Sequence, residues 1–191
     1  MRDELYRRAE KGDVTLLSHP DVAKVGEAHL STPLHVLALR GVREVIDHPM
    51  VDKVYDSNGQ TPLHLLALAG VTDVLRHKSL TKVRTPSGET PLHYAARGRM
   101  REALKHKKVG TLRDYSGHTP LHLFALKGVV DVAEHPDCCR VREHFLFQTP
   151  LDILRTRGYH GPAHPRRCFV SRIVSWICDT LTWHKPMKEG A

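Results

Sequence analysis

Aromatic residues make up only 6% of this 191-residue chain. Single-stranded nucleic acid is held on stacked aromatic side chains, so the shortage argues against that partner. Cysteine is scarce as well. The four cysteines (Cys138, Cys139, Cys168 and Cys178) are too few and too irregularly placed for a disulfide framework. Such usage fits a reducing interior, so an intracellular location, cytoplasmic or nuclear, is expected. The apolar runs fall short of the roughly 18 residues a spanning helix needs, so no transmembrane segment is expected. Met1-Arg2-Asp3-Glu4 lacks the apolar core of a secretion signal. There is no Gly-Xaa-Ser-Xaa-Gly elbow and no phosphate-cradling glycine loop. No enzyme activity and no cofactor are expected, because no nucleophile sits with a base.

What is present is repetition. The phrase Thr61-Pro62-Leu63-His64 returns at Thr32, Thr90 and Thr119, each start 29 residues from the next. A worn copy, Thr149-Pro150-Leu151-Asp152, follows after 30. Self-similarity at a fixed period of this length means stacked repeats. Thr61 is placed to cap a helix, and Pro62 sits where the first N–H needs no partner. Leu63 and Leu66 share one helical face. Ala67 is small enough for close helix approach. Gly70 suits the left-handed residue that ends a helix.

The second half of the unit is also periodic. Val42, Val45 and Ile46 recur as Val71, Val74 and Leu75, as Met100, Ala103 and Leu104, and as Val129, Val132 and Ala133. This is one apolar stripe at helical spacing. A histidine follows in every unit, at His19, His48, His77, His106 and His135, with proline after three of them. Proline forces the helix to stop there. An apolar pair then recurs, as in Val51 with Val54 and Leu80 with Val83, and predicts a short 3₁₀ or α turn that tucks both side chains under the repeat.

The Thr-Pro-Leu-His phrase, the following alanine and the closing glycine resemble the ankyrin repeat, over roughly residues 3–158. The resemblance implies an all-α, ankyrin-like repeat solenoid of helix-turn-helix units. Asp56-Ser57-Asn58-Gly59, Thr85-Pro86-Ser87-Gly88 and Asp114-Tyr115-Ser116-Gly117 then look like its β-turn fingers. Residues 1–30 read as an N-terminal capping half-repeat, with Arg2, Asp3, Arg7, Arg8 and Glu10 on a polar outer face. Residues 31–158 are the repeats, and 159–191 a loop and a closing amphipathic helix over 168–183. A common ankyrin unit is about 33 residues. This shorter unit should lack about one turn of its second helix. Arg155 stands where other units have alanine, which should end the stack.

Carried over by position, the groove of the family falls on Arg40, Leu65, Leu68, Tyr94, Arg97, Leu123, Leu126 and Lys127. Finger tips add Arg84, Arg113 and Tyr115. An apolar floor with tyrosine and arginine is the composition of an interaction hot spot. The whole net charge of +8 comes from residues 96–191. Its densest run is Arg97, Arg99, Arg101, Lys105, Lys107, Lys108 and Arg113, opposed by Glu102 alone. A protein with an acidic surface is the expected partner, for an adaptor or for an inhibitor or host-directed effector that occludes a partner. A basic-surface binder of nucleic acid or anionic membrane is the alternative.

Metal binding is not expected. His35, His64, His93 and His122 lie one repeat apart, about 8–10 Å for packed helices, too far to share one ion. In the ankyrin family this histidine bonds its own and the adjacent loop, and the resemblance implies the same role. His160, His164 and Cys168 are spaced four and four, with Cys138, Cys139 or His144 as neighbours, but the intervening glycine and prolines break any helix there. Phe145, Leu146 and Phe147 are expected to receive the closing helix.

Overall fold

The computed structural model describes residues 2–24, 31–144 and 146–161. Among these residues there is no strand, and the fold is all-helical. Six α-helices follow one another: α1 (Arg2–Glu10), α2 (Pro33–Leu39), α3 (Pro62–Leu68), α4 (Pro91–Arg97), α5 (Pro120–Leu126) and α6 (Pro150–Thr156). Each packs on the next in chain order, so the units form a row.

The repeated phrase builds each of α2–α6 in the same way. Thr32 is extended, at φ −91 and ψ 160, and its hydroxyl accepts from the His35 N–H. Proline occupies the first turn of all five helices. The leucine after it (Leu34, Leu63, Leu92, Leu121 or Leu151) is fully buried. Each contributes about 1.5–3 kcal/mol by leaving water. Ala38, Ala67, Ala96 and Ala125 have no exposed surface, as close helix approach requires.

Helix ends differ in one unit. Gly41, Gly70 and Gly128 take φ of 76, 88 and 73 after α2, α3 and α5. After α4 the left-handed residue is Arg99, at φ 59. Gly98 precedes it in a right-handed conformation, and a Cβ there would strike the Leu68 carbonyl oxygen. Close packing holds the glycine at 98, and an arginine is left in the strained slot.

The second helix is shorter than expected. It is a five-residue 3₁₀ segment in every unit: Val14–Ser18, Arg43–Asp47, Thr72–Arg76, Arg101–Lys105 and Val130–Glu134. Extended residues bound it on both sides, such as Val42 at ψ 104 and His48 at ψ 130. Five residues between two extended ends leave little room for an α-type ladder, so i→i+3 bonds close instead. Leu16, Val45, Val74, Ala103, Val132 and Ala133 are the fully buried side chains of these segments.

The stretch after each histidine is a turn and not a helix. Only the first of each expected pair is tucked in: Val51, Leu80, Val109 and Cys138 are buried, while Val54, Val83, Leu112 and Val141 are half-buried.

At the start of the row, Leu5, Tyr6 and Ala9 of α1 face α2, and Asp3, Arg7 and Glu10 face outward. Arg8 is half-buried and paired to Asp13 at 2.8 Å. At the far end Arg155 is exposed on α6. Val25, Phe145, His164, Cys168 and the closing helix lie outside the described residues. No helix among the described residues is long and apolar enough to cross a membrane.

Candidate functional site

Two histidine ladders set the geometry of the surface. In the first, Nδ1 of His64 accepts from the Thr61 N–H at 3.1 Å, and Nε2 donates to the Glu89 carbonyl at 3.3 Å. His35 reaches Gln60, His93 reaches His118 and His122 reaches Gln148 in the same way. An N–H on one nitrogen and a carbonyl on the other fix the neutral tautomer. Burial pushes His64, His93 and His122 down to about 4, and lowers His35 as well. Each ring therefore locks its own helix start to the following turn. Asp152 in the last copy accepts from the Thr149 N–H at 2.9 Å, and a carboxylate offers no second donor.

In the second ladder Nδ1 accepts the N–H two residues on, as in His48 from Met50 at 3.2 Å and His106 from Lys108 at 3.2 Å. These rings fasten only their own turn, and they are half-buried.

The turns held by the first ladder are the fingers, at 56–60, 85–89, 114–118 and 143–148. Asp56 Oδ1 accepts from the Asn58 and Gln60 N–H groups at 2.9 and 2.8 Å. Asp114 accepts from the His118 N–H at 2.8 Å. The last finger holds one more residue, and the longer Glu143 spans it, accepting from the Leu146 and Gln148 N–H groups. Consecutive fingers are joined by backbone bonds, Tyr115 to Ser87 at 3.1 Å and His144 to Ser116 at 3.3 Å. Gly88 takes φ +83 beneath Tyr115, where a Cβ would come within 2.8 Å of the ring.

A row of arginines ties the fingers together. Arg84 donates from one guanidinium nitrogen to the Gly88 carbonyl at 2.6 Å and the Arg113 carbonyl at 2.8 Å. Arg113 repeats this with Gly117 at 2.8 Å and Arg142 at 2.7 Å. Arg142 reaches the Phe147 carbonyl at 3.2 Å. Arg84 and Arg113 were expected as contact residues; the structure gives both a fastening role. Their spacing matches the repeat, which is the signal that could have exposed it.

The expected apolar floor is corrected in part. Leu65, Tyr94 and Leu123 are buried, 8%, 5% and 8% exposed, because neighbouring units close over both sides of a seven-residue helix. Tyr94 stacks edge-on against His64, with centroids 5.0 Å apart. Leu68 is half-buried, while Leu126, Arg40 and Lys127 are exposed. Tyr115 is 72% exposed at its finger tip. Arg97 is exposed and oriented: its guanidinium pairs with buried Glu89 at 2.5 Å and lies 5.4 Å from the Tyr94 ring centroid.

The basic run is dispersed over several elements. Arg97 ends α4, Arg99 occupies the tight turn, and Arg101 and Lys105 lie on the 3₁₀ segment. Lys107 and Lys108 follow it, and all six are exposed. Arg101 pairs with Asp131 at 3.5 Å, and half-buried Arg113 serves its finger.

Among the described residues no group of three or more histidine, cysteine or carboxylate side chains is arranged for a metal ion. Cys138 is buried in its apolar slot. The half-buried Cys139 has its sulfur 3.3 Å from that of Cys138. No protein-family model and no curated protein matches the chain.

Proposed function

We propose that this chain is a non-catalytic protein-binding module, an ankyrin-like solenoid that meets its partner through finger tips and the exposed side of the first helices. One observation carries the reading. Among the described residues, five of the eight large exposed hydrophobics belong to these elements, Leu39, Tyr115, Leu126, Leu146 and Phe147, and a sixth, Tyr55, directly precedes the first finger. Exposed apolar side chains concentrated on one set of elements mark an interaction surface better than the same residues scattered singly. Tyr115 and Phe147 supply aromatic area on turns already held by side chains and carbonyls, so little ordering entropy is lost on binding. Arg40, Arg97 and Lys127 stand at the helix ends, which suits a partner with carboxylates around an apolar centre. An adaptor and an occluding inhibitor both follow from such a surface.

The test is a pull-down from native lysate with wild type and a Tyr115→Ser/Leu126→Glu/Phe147→Ser variant whose circular dichroism is unchanged. One defined protein retained by wild type and lost by the variant supports the reading. Equal retention by both removes the finger and first-helix surface from the account.

A further inference from the structure

We infer that the turns after the 3₁₀ segments form a second binding surface, for the phosphate backbone of a nucleic-acid duplex. These turns occupy 48–54, 77–83, 106–112 and 135–141. Each points one apolar side chain inward and leaves cations outside. Lys53, Lys82 and Arg140 hold the same repeat position, with Lys78, Lys107 and Lys108 beside them, and all six are exposed. Among the described residues none of the six forms an ion pair.

The two carboxylates of these turns, Asp52 and Asp137, are half-buried and face neighbouring turns. Asp52 accepts from the Ser79 hydroxyl at 2.5 Å, joining the first of these turns to the second. Asp137 packs against Gly110, so closely that a Cβ there would lie 2.6 Å from its Oδ2. Adjacent turns thus touch in pairs, and the packed 3₁₀ segments Thr72–Arg76 and Arg101–Lys105 join the two pairs. Positive charge is left outward along one edge.

The chemistry of the edge selects its ligand. Units stacked at about 10 Å carry the cations over roughly 30 Å, the length of about nine base pairs. Five of the six are lysines, point charges suited to phosphate and not to the planar base edges that an arginine fork reads. None of the exposed large hydrophobics lies on these turns, so neither base stacking nor insertion into a bilayer is served. The expected binding is sequence-independent and set by counterion release. It crosses units, unlike the dense run within residues 97–113, and shares only Lys107 and Lys108 with it.

The probe is a mixed-sequence 20-bp duplex, titrated by fluorescence anisotropy at 50 and 200 mM salt. With about four phosphate contacts, affinity should fall about 100-fold between the two. The K53E/K82E/K107E/R140E variant should lose duplex binding at 50 mM salt, and the matching Lys→Gln, Arg→Gln variant should weaken it at least 10-fold. A charge-matched control, R7E/R40E/R99E/K127E, should change it less than 5-fold. The Tyr115→Ser/Leu126→Glu/Phe147→Ser variant should bind the duplex as wild type does, which separates this surface from the protein-binding one. Equal loss in the charge-matched control, absence of duplex binding at 50 mM salt, or tighter binding to phosphatidylserine vesicles than to duplex would each overturn the inference.

Discussion

The fingers and the turns after the 3₁₀ segments come from the same repeated unit, and they end with opposite surfaces. Both are fastened by a histidine that recurs in every full unit. On the finger side the ring is buried, uses both nitrogens and crosses to the next unit, as His93 does from Thr90 to His118. On the other side the ring is half-buried and spans two residues of its own turn, as in His106 to Lys108. The difference teaches where rigidity is needed. Apolar recognition depends on fixed shape, and the cross-linked edge carries Tyr115 and Phe147. Charge acts over about a Debye length and tolerates mobile side chains, and the loosely tied edge carries lysines. The comparison can be broken with pH first. Free histidine titrates near 6.5, whereas His64, His93 and His122 are held down to about 4 by burial. Unfolded chains therefore bind more protons than folded ones between those values. Stability is fully present above about pH 6.5 and is lost as pH falls toward 4. At pH 5 the loss is about 2 kcal/mol for each of the three rings, a large share of a typical domain's stability. A urea midpoint unchanged between pH 7 and 5 would contradict the buried neutral ladder.

Deleting one ring from each ladder sharpens the same contrast. His93→Ala strands the Thr90 N–H and the His118 carbonyl and opens a cavity at a fully buried site. The expected cost is about 3–5 kcal/mol. His106→Ala removes one bond from a half-buried turn where water can replace it. There the expected cost is about 0.5–1 kcal/mol. Urea denaturation of the two variants measures the ratio directly, and similar costs would mean that the two edges are not differently fastened.

How much of this was legible follows from how each role is set. The helix starts and the glycine turns are legible because their residue types and spacing carry the mechanism, whereas the first histidine ladder's role comes from the ankyrin resemblance and the second ladder shows in the sequence only as a recurrence. The 3₁₀ segments are not legible, because periods of 3.0 and 3.6 barely diverge over five residues. Leu65, Tyr94 and Leu123 are expected at the surface because the ankyrin resemblance carries the family's groove onto them by position. Their burial depends on how far the adjacent units reach over a helix, which one chain's pattern does not state. Arg84, Arg113 and Arg142 stand at the repeat spacing in plain view. Their partners are carbonyl oxygens, and every residue has one, so the spacing signals a repeated role without naming the bond.

That arginine row gives the next contrast. Arg113→Ala removes two charge-assisted bonds, one within its own finger and one to the next unit. A loss of about 1.5–3 kcal/mol is expected, with thermal unfolding as the measurement. Lys82→Ala on the other edge touches an exposed, unpaired cation and should stay within about 0.5 kcal/mol. If Lys82→Ala matched Arg113→Ala, the lysine edge would be part of the structure and not a free surface.

The smallest effect concerns Arg99, which lies between the two edges. Its φ of 59 is the conformation that Gly41, Gly70 and Gly128 supply in other units. Left-handed backbone costs a residue with a Cβ about 1 kcal/mol. Glycine regains that strain energy but returns some conformational entropy to the unfolded chain. Among the described residues Arg99 makes no ion pair that would be lost. Arg99→Gly should therefore raise stability by about 0.5 kcal/mol. The informative readout is binding beside that gain. A stabilised variant that binds duplex within 2-fold of wild type and still retains the lysate protein makes Arg99 a tolerated imperfection of the third unit. A stabilised variant that loses the protein but keeps the duplex adds Arg99 to the finger and helix surface, and the strain then has a functional reason.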